Sequence, residues 1–165
     1  TNNGRIFGSG TFRHSERDLL IFINPSIVSP GESPGTLTIE GDYVQTDTGV
    51  LEIELGELEF DQLIVTGTAY LDGTVILRLL PNANIAAGTV FDFLSADAVV
   101  GGFAIEDVPL DDQGQPLFSI AYGPTGVWAT ALQDVQGSAI PEPGTLSLVG
   151  LGLLALVRRR RSRRS

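Results

Sequence analysis

Apolar and polar residues alternate with a period of two through most of residues 37–79. Leu37, Ile39, Gly41 and Tyr43 fall on one side of an extended chain, and Thr38, Glu40 and Asp42 on the other. Leu51-Glu52-Ile53-Glu54-Leu55 repeats the scheme, with both carboxylates expected to face water. Leu63, Val65, Ala69 and Leu71 follow, then Val75, Leu77 and Leu79 with Arg78 outward. A helix would bring apolar residues round every 3.6 positions, so a period of two predicts half-buried strands. Leu19-Leu20-Ile21-Phe22-Ile23 is a continuous apolar run and predicts a strand buried on both faces. Pro30-Gly31 and Pro34-Gly35 mark a turn ahead of the first clear alternation. After residue 80 the register changes. Val90–Leu94, Leu117–Tyr122 and Val127–Leu132 read as strands joined by Gly and Pro turns.

The alternating segments also resemble one another. Leu37-x-Ile39-x-Gly41-x-Tyr43 recurs 26 residues on as Leu63-x-Val65-x-Gly67-x-Ala69. Gly49-Val50-Leu51 matches Gly73-Thr74-Val75 at a slightly shorter offset. A repeat of this size is a solenoid signature, because one coil cannot bury its own apolar face and stacks on its neighbours. Each stacked Leu then contributes roughly 1.5–3 kcal/mol when fully buried. Gly41 and Gly67 are expected at bends needing positive φ. Ile6-x-Gly8-x-Gly10-x-Phe12 reads as one further, degenerate coil. The three late strands predict a small antiparallel sheet closing the end of the stack, where bare strand edges would otherwise be exposed. Ser33–Gln45 and Asp61–Gly73 resemble coils near the C-terminal end of autotransporter-type passenger domains. Over roughly residues 4–80, that resemblance implies a right-handed parallel β-helix and says little about activity.

Charge divides the chain in two. Residues 1–140 hold nineteen Asp or Glu against Arg5, Arg13, Arg17 and Arg78, a balance of −15, whereas residues 141–165 hold Glu142 against six Arg, a balance of +5. An acidic body repels phosphate backbones, which argues against a nucleic-acid partner. The chain has no Cys, which removes disulfides, thiolate metal sites and Cys nucleophiles. It has no Lys, which removes Schiff-base chemistry and a P-loop lysine. It opens Thr1-Asn2-Asn3 without Met, and residues 1–30 offer no basic-then-apolar leader, so the true start is expected upstream.

The basic end has its own logic. Asp134–Ile140 reads as a linker, followed by Pro141-Glu142-Pro143 and an uncharged stretch of 15 residues, Pro143–Val157. Its apolar members are Leu146, Leu148, Val149, Leu151, Leu153, Leu154, Leu156 and Val157. As a helix it would span about 22 Å at 1.5 Å per residue. A hydrocarbon core is about 30 Å thick, a shortfall that snorkelling arginines and local thinning can close. Arg158, Arg159, Arg160, Arg161, Arg163 and Arg164 then belong on the cytoplasmic side, with the acidic body outside. Membrane physics does not account for Pro-Glu-Pro. That motif, an apolar helix and a terminal Arg cluster, in this order, resemble the PEP-CTERM sorting signal of Gram-negative bacteria. The resemblance implies recognition by exosortase, a membrane protease-transpeptidase, with processing near Pro141-Glu142-Pro143. It further implies inner-membrane insertion before processing, then release to the cell surface or an extracellular, biofilm-type matrix with exopolysaccharide as a possible contact.

Candidate chemistry in the body is sparse. His14, the only His, sits beside Ser15 and near Glu16 and Asp18, but sequence adjacency does not make a triad converge. Asp111-Asp112, near Glu106 and Asp107, carry oxygen ligands suited to Ca²⁺ but match no calcium-loop pattern, and read as a solvated loop. Glu52, Glu54, Glu57, Glu59 and Asp61 contain pairs of the glycosidase type, yet their alternate spacing sets them on one outer, solubilising face. Phe91, Phe93, Tyr122 and Trp128 read as core aromatics. The expectation is therefore an all-β body over residues 1–133, a linker over 134–140 and a sorting signal with a single short transmembrane helix over 141–165. No catalytic residue, metal or cofactor is assigned. The expected role is a non-enzymatic surface or matrix structural protein. The alternatives are the C-terminal part of a carbohydrate-active β-helix enzyme and a glycan-binding adhesin.

Overall fold

The computed structural model describes residues 1–13, 20–31 and 34–136, and every element in them is a strand. The sorting segment and His14 lie outside the described residues. The chain winds as a β-solenoid that visits three sheets in a fixed order. The first coil is β1 (Arg5–Gly8), β2 (Gly10–Phe12) and β3 (Leu20–Asn24). The second is β4 (Ile27–Pro30), β5 (Thr36–Ile39) and β6 (Gly41–Gln45), and the third β7 (Val50–Leu55), β8 (Gln62–Val65) and β9 (Thr68–Leu71). The winding continues through β10 (Thr74–Leu79), a short β11 (Asn84–Ile85), β12 (Val90–Ser95), β13 (Ala98–Gly101) and β14 (Ile105–Asp107). The first sheet is thus β1-β4-β7-β10-β14 and the third is β3-β6-β9-β13, all parallel.

The sequence offsets are the stacking register. Leu37 pairs with Leu63 and Ile39 with Val65 at 26 residues, while Val50 pairs with Thr74 and Leu51 with Val75 at 24. Inward columns such as Val28, Leu51 and Val75, all fully buried, form the core. The solenoid runs past residue 80: β12, β13 and β14 stack in parallel on β8, β9 and β10. The change of pattern there has a local cause. β12 bulges between Asp92 and Leu94, which turns both Phe93 and Leu94 inward and breaks the alternation. The end of the second sheet is closed as expected, by antiparallel β15 (Phe118–Tyr122) and β16 (Gly126–Ala131) against β12.

Two local expectations change. The Leu19–Ile23 run is not buried on both faces: Phe22 is inside but Ile21 is 56% exposed, because the third sheet has one face on the core and one in solvent. Gly41 has the positive φ (145°), and an added Cβ there would strike the Leu20 carbonyl. Gly67 has no positive φ; it is small because a Cβ would run into Asp42 Oδ1 and the Gly41 carbonyl.

Candidate functional site

The chain leaves the solenoid at β17 (Val135–Gln136), which pairs antiparallel with β11 through Ile85↔Val135 and Asn84↔Gln136. Val135 is buried, and Asp134 Oδ1 accepts the Ala87 amide at 2.8 Å, so the exit is pinned to the body. Beside it opens a cavity of about 520 Å³ lined by Leu80, Pro109, Asp111, Asp112 and Asp134 among others. Pro141-Glu142-Pro143, the apolar positions from Leu146 to Val157 and the arginines from Arg158 to Arg164 all follow this exit and lie outside the described residues.

Of the acidic candidates, Asp111, Glu106, Glu52 and Asp61 are drawn into structural bonds. Asp111 Oδ1 accepts the Gln113 and Gln115 amides at 2.8 Å each, and Oδ2 accepts from Gln133 Nε2 at 3.3 Å. The Gln115 amide foremost, with those of Gln113 and Gly114 and the Gln133 side chain, holds its carboxyl below the usual carboxylate range. Glu106 Oε1 accepts from the Tyr122 hydroxyl at 2.6 Å, and burial followed by this bond pushes the phenol up. Among the described residues, no group of three or more His, Asp or Glu side chains is arranged to hold a metal ion.

The expected outer row of carboxylates is split. Glu52 lies outward and receives Arg5 at 2.7 Å and Arg78 at 2.6 Å, tying β1, β7 and β10 across the outer face of the first sheet. Asp61 is the correction: it is fully buried, not on the solubilising face. Its Oδ1 accepts the Gly35 amide and its Oδ2 the Glu54 amide, each at 2.9 Å. Burial first, against these two bonds, pushes its carboxyl up to about 6. A chain reversal explains the misplacement. Gly56 to Phe60 form a bridge back onto Leu55, so the alternation does not carry through to residue 61. Of the aromatics, Phe91 and Phe93 are core, Trp128 is half-buried and Tyr122 is exposed.

A buried polar column was not foreseen. Asn2 Nδ2 donates to Asn24 Oδ1 (2.9 Å) and to the Ile27 carbonyl (3.0 Å). Asn24 Nδ2 donates to the Tyr43 hydroxyl (3.1 Å) and the Val50 carbonyl (3.3 Å). Tyr43 donates to Gln45 Oε1 (2.7 Å), and Gln45 Nε2 donates to the carbonyls of Gly49, Asp72 and Thr74. Each amide thus satisfies the carbonyl of the first residue of a first-sheet strand in the coil above, at the corner where the chain passes from the third sheet to the first. Full burial pushes the Tyr43 phenol well up. The signal in the sequence was Asn2, Asn24 and Gln45 recurring at nearly constant spacing.

The exit strand leads on to residues 137–165 of the sequence. There, residues 139–161 match the family model of the PEP-CTERM protein-sorting motif. The chain carries a PEP-CTERM sorting motif. The motif is the recognition signal for exosortase, a membrane-associated sorting enzyme, and implies export and membrane passage before processing. The PEP-CTERM motif begins three residues after Gln136, the last residue of the described body. No curated protein matches the chain.

Proposed function

We propose that this is an exported cell-surface or extracellular-matrix structural protein of a Gram-negative bacterium. Its solenoid would be the delivered cargo and its C-terminal segment the address. In this reading Pro141-Glu142-Pro143 is presented to exosortase on the outer side of the inner membrane, and cleavage falls near it. Leu146 to Val157 form a short membrane helix, and Arg158–Arg161 with Arg163 and Arg164 stay cytoplasmic by the positive-inside rule. Glu142 and Pro143 suit the first turn of that helix, by charge against its dipole and by fixed φ. The motif match over residues 139–161 carries this reading.

The body is read as non-enzymatic. The support is that Asp61, Asp111 and Glu52 are engaged in holding turns and coils. An apolar segment of about 22 Å is a poor permanent anchor in a core of about 30 Å, which favours transient insertion followed by release. Fractionation of cells expressing the intact chain tests the proposal. Deletion of Pro141-Glu142-Pro143, or Arg158–Arg161→Ala, should leave unprocessed protein in the inner membrane and abolish surface delivery. Unchanged localisation of both variants would refute it.

A further inference from the structure

The corner between the third and first sheets is not built alike in every coil. From β6 to β7 the chain takes four residues, Thr46–Gly49, and the Gly49 amide donates back to the Thr46 carbonyl at 2.9 Å. From β9 to β10 it takes two, Asp72 and Gly73, so the stacking offset falls from 26 at Val44↔Tyr70 to 24 at Val50↔Thr74. In this shorter corner the Gly73 amide donates instead to Oδ1 of Asp72, the residue before it, at 2.7 Å. Gly73 is buried with φ at +66°, and a Cβ on it would run into the Gly49 and Thr46 carbonyls. The Asp72 side, by contrast, is exposed to solvent. Its main-chain carbonyl accepts from Gln45 Nε2 at 2.8 Å, the same nitrogen that holds Thr74.

We propose that Asp72-Gly73 is a self-modification site, at which the fold promotes formation of a succinimide and then of isoaspartate. The Gly73 nitrogen and the C, Cα, Cβ and Cγ atoms of Asp72 are the five members of the ring. An Oδ1 held 2.7 Å from that nitrogen sets the carboxyl against the atom it must meet, a proximity that the free chain reaches only in passing. The nitrogen attacks Cγ, and the carboxyl OH leaves with the amide proton as water. Solvent water then opens the ring at one of its two carbonyls. Opening at Cγ restores Asp72. Opening at the former main-chain carbonyl leaves Gly73 linked through Cγ and Cβ, with one more carbon in the chain, and frees an α-carboxylate. Neither step needs an oxidant or any reactant besides water. A side chain after the acid would hinder the attack, and this is the one Asp-Gly pair in the sequence. At Asn3-Gly4, the corresponding amide pair, the Gly4 amide is held by Asn2 Oδ1 at 3.0 Å instead. The product weakens the corner. The oxygen that Gln45 holds becomes part of the new carboxylate, and the lengthened chain must fit where Gly73 has no room even for a Cβ.

The test is incubation of the full chain in mildly acidic buffer at physiological temperature, beside a synthetic peptide of residues 68–77 in the same buffer. Peptide mapping reads the succinimide by its loss of one water, and labelling with an isoaspartyl methyltransferase reads the isoaspartate. Both products should form at residue 72 about fivefold or more faster in the folded chain than in the peptide. Asp72→Asn keeps the shape and closes the same ring with loss of ammonia, so it should show a similar ratio to its own peptide. Asp72→Glu, whose ring would need a sixth member, should give neither product. The converted chains should unfold at lower urea than the unconverted ones. A folded rate at or below that of the peptide, for either Asp72 or its Asn variant, overturns the inference, because the fold would then hold the two groups apart. An unchanged urea midpoint after conversion overturns the effect on the corner.

Discussion

Gln45 Nε2 lies 2.9 Å from the carbonyl of Thr74, and through this bond one coil holds the next at the corner between the third and first sheets. The same nitrogen donates to Gly49 and Asp72, and its Oε1 accepts from Tyr43. Gln45→Leu keeps the volume but strips donors from three carbonyls in a buried corner. Unsatisfied buried groups cost about 1–3 kcal/mol each, partly relieved by water entry. The expected loss is about 3 kcal/mol in urea unfolding of the body. Tyr43→Phe, which removes one hydroxyl between Asn24 and Gln45, should lose about 1–2 kcal/mol.

Asp61 makes part of the stability depend on pH. Its folded carboxyl titrates near 6, above an unfolded value of about 4, so the folded state binds the proton more tightly. Its contribution is therefore complete below about pH 4, is lost as pH rises through about 6, and is flat above that. Asp61→Asn should abolish this step. Plotted as a difference from the wild type across pH 4–8, the variant's urea midpoint should improve with rising pH and level off above 6. A difference that does not vary with pH would contradict the assignment.

Two glycines separate conformational strain from steric exclusion. Gly41→Ala must hold φ near +145° and drive a Cβ into the Leu20 carbonyl, so it should cost 3 kcal/mol or more, about the sum of a strained backbone and a displaced strand. Gly88 also has positive φ, 83°, but nothing lies near its would-be Cβ. Gly88→Ala should cost only about 1–2 kcal/mol. Thermal unfolding of the two variants side by side checks the ordering.

The outer ion pairs should matter little. Glu52 joins Arg5 and Arg78, but both arginines are more than half exposed. Glu52→Gln should cost less than about 1 kcal/mol, and the difference should shrink further in 1 M salt. A larger loss would show that the bracing of β1 against β10 through Glu52 is cooperative.

Most of the solenoid was legible because its information is one-dimensional. A period of two names the inward residues, and a recurrence of 26 names their vertical partners, so Leu37 over Leu63 could be read before any fold was known. What escaped was wherever the chain departs from that rule. The bulge at Asp92 hid the continuing winding of β12–β14, and the reversal at Gly56–Phe60 carried Asp61 from the outer row into the interior. The amide column escaped for another reason. Asn and Gln count as outward residues in a hydrophobic pattern, and only their spacing betrays a shared buried corner. The address beyond Gln136 was the reverse case: its order of Pro-Glu-Pro, apolar run and Arg cluster is linear information that needs no fold to be read.

The clasp between β11 and β17 also has a mechanical meaning. Tension on the chain beyond Gln136 meets the two-residue pairing of β11 with β17, then the bonds of Asp134 to the Ala87 amide and of Gln133 to Asp111, before it reaches β16, which is braced between two strands. Releasing Leu132–Gln136 would lengthen the tether by about 17 Å at roughly 3.4 Å per residue. The join between cargo and address is thus a built-in length of slack, able to absorb a pull on the tail while the coils stay wound.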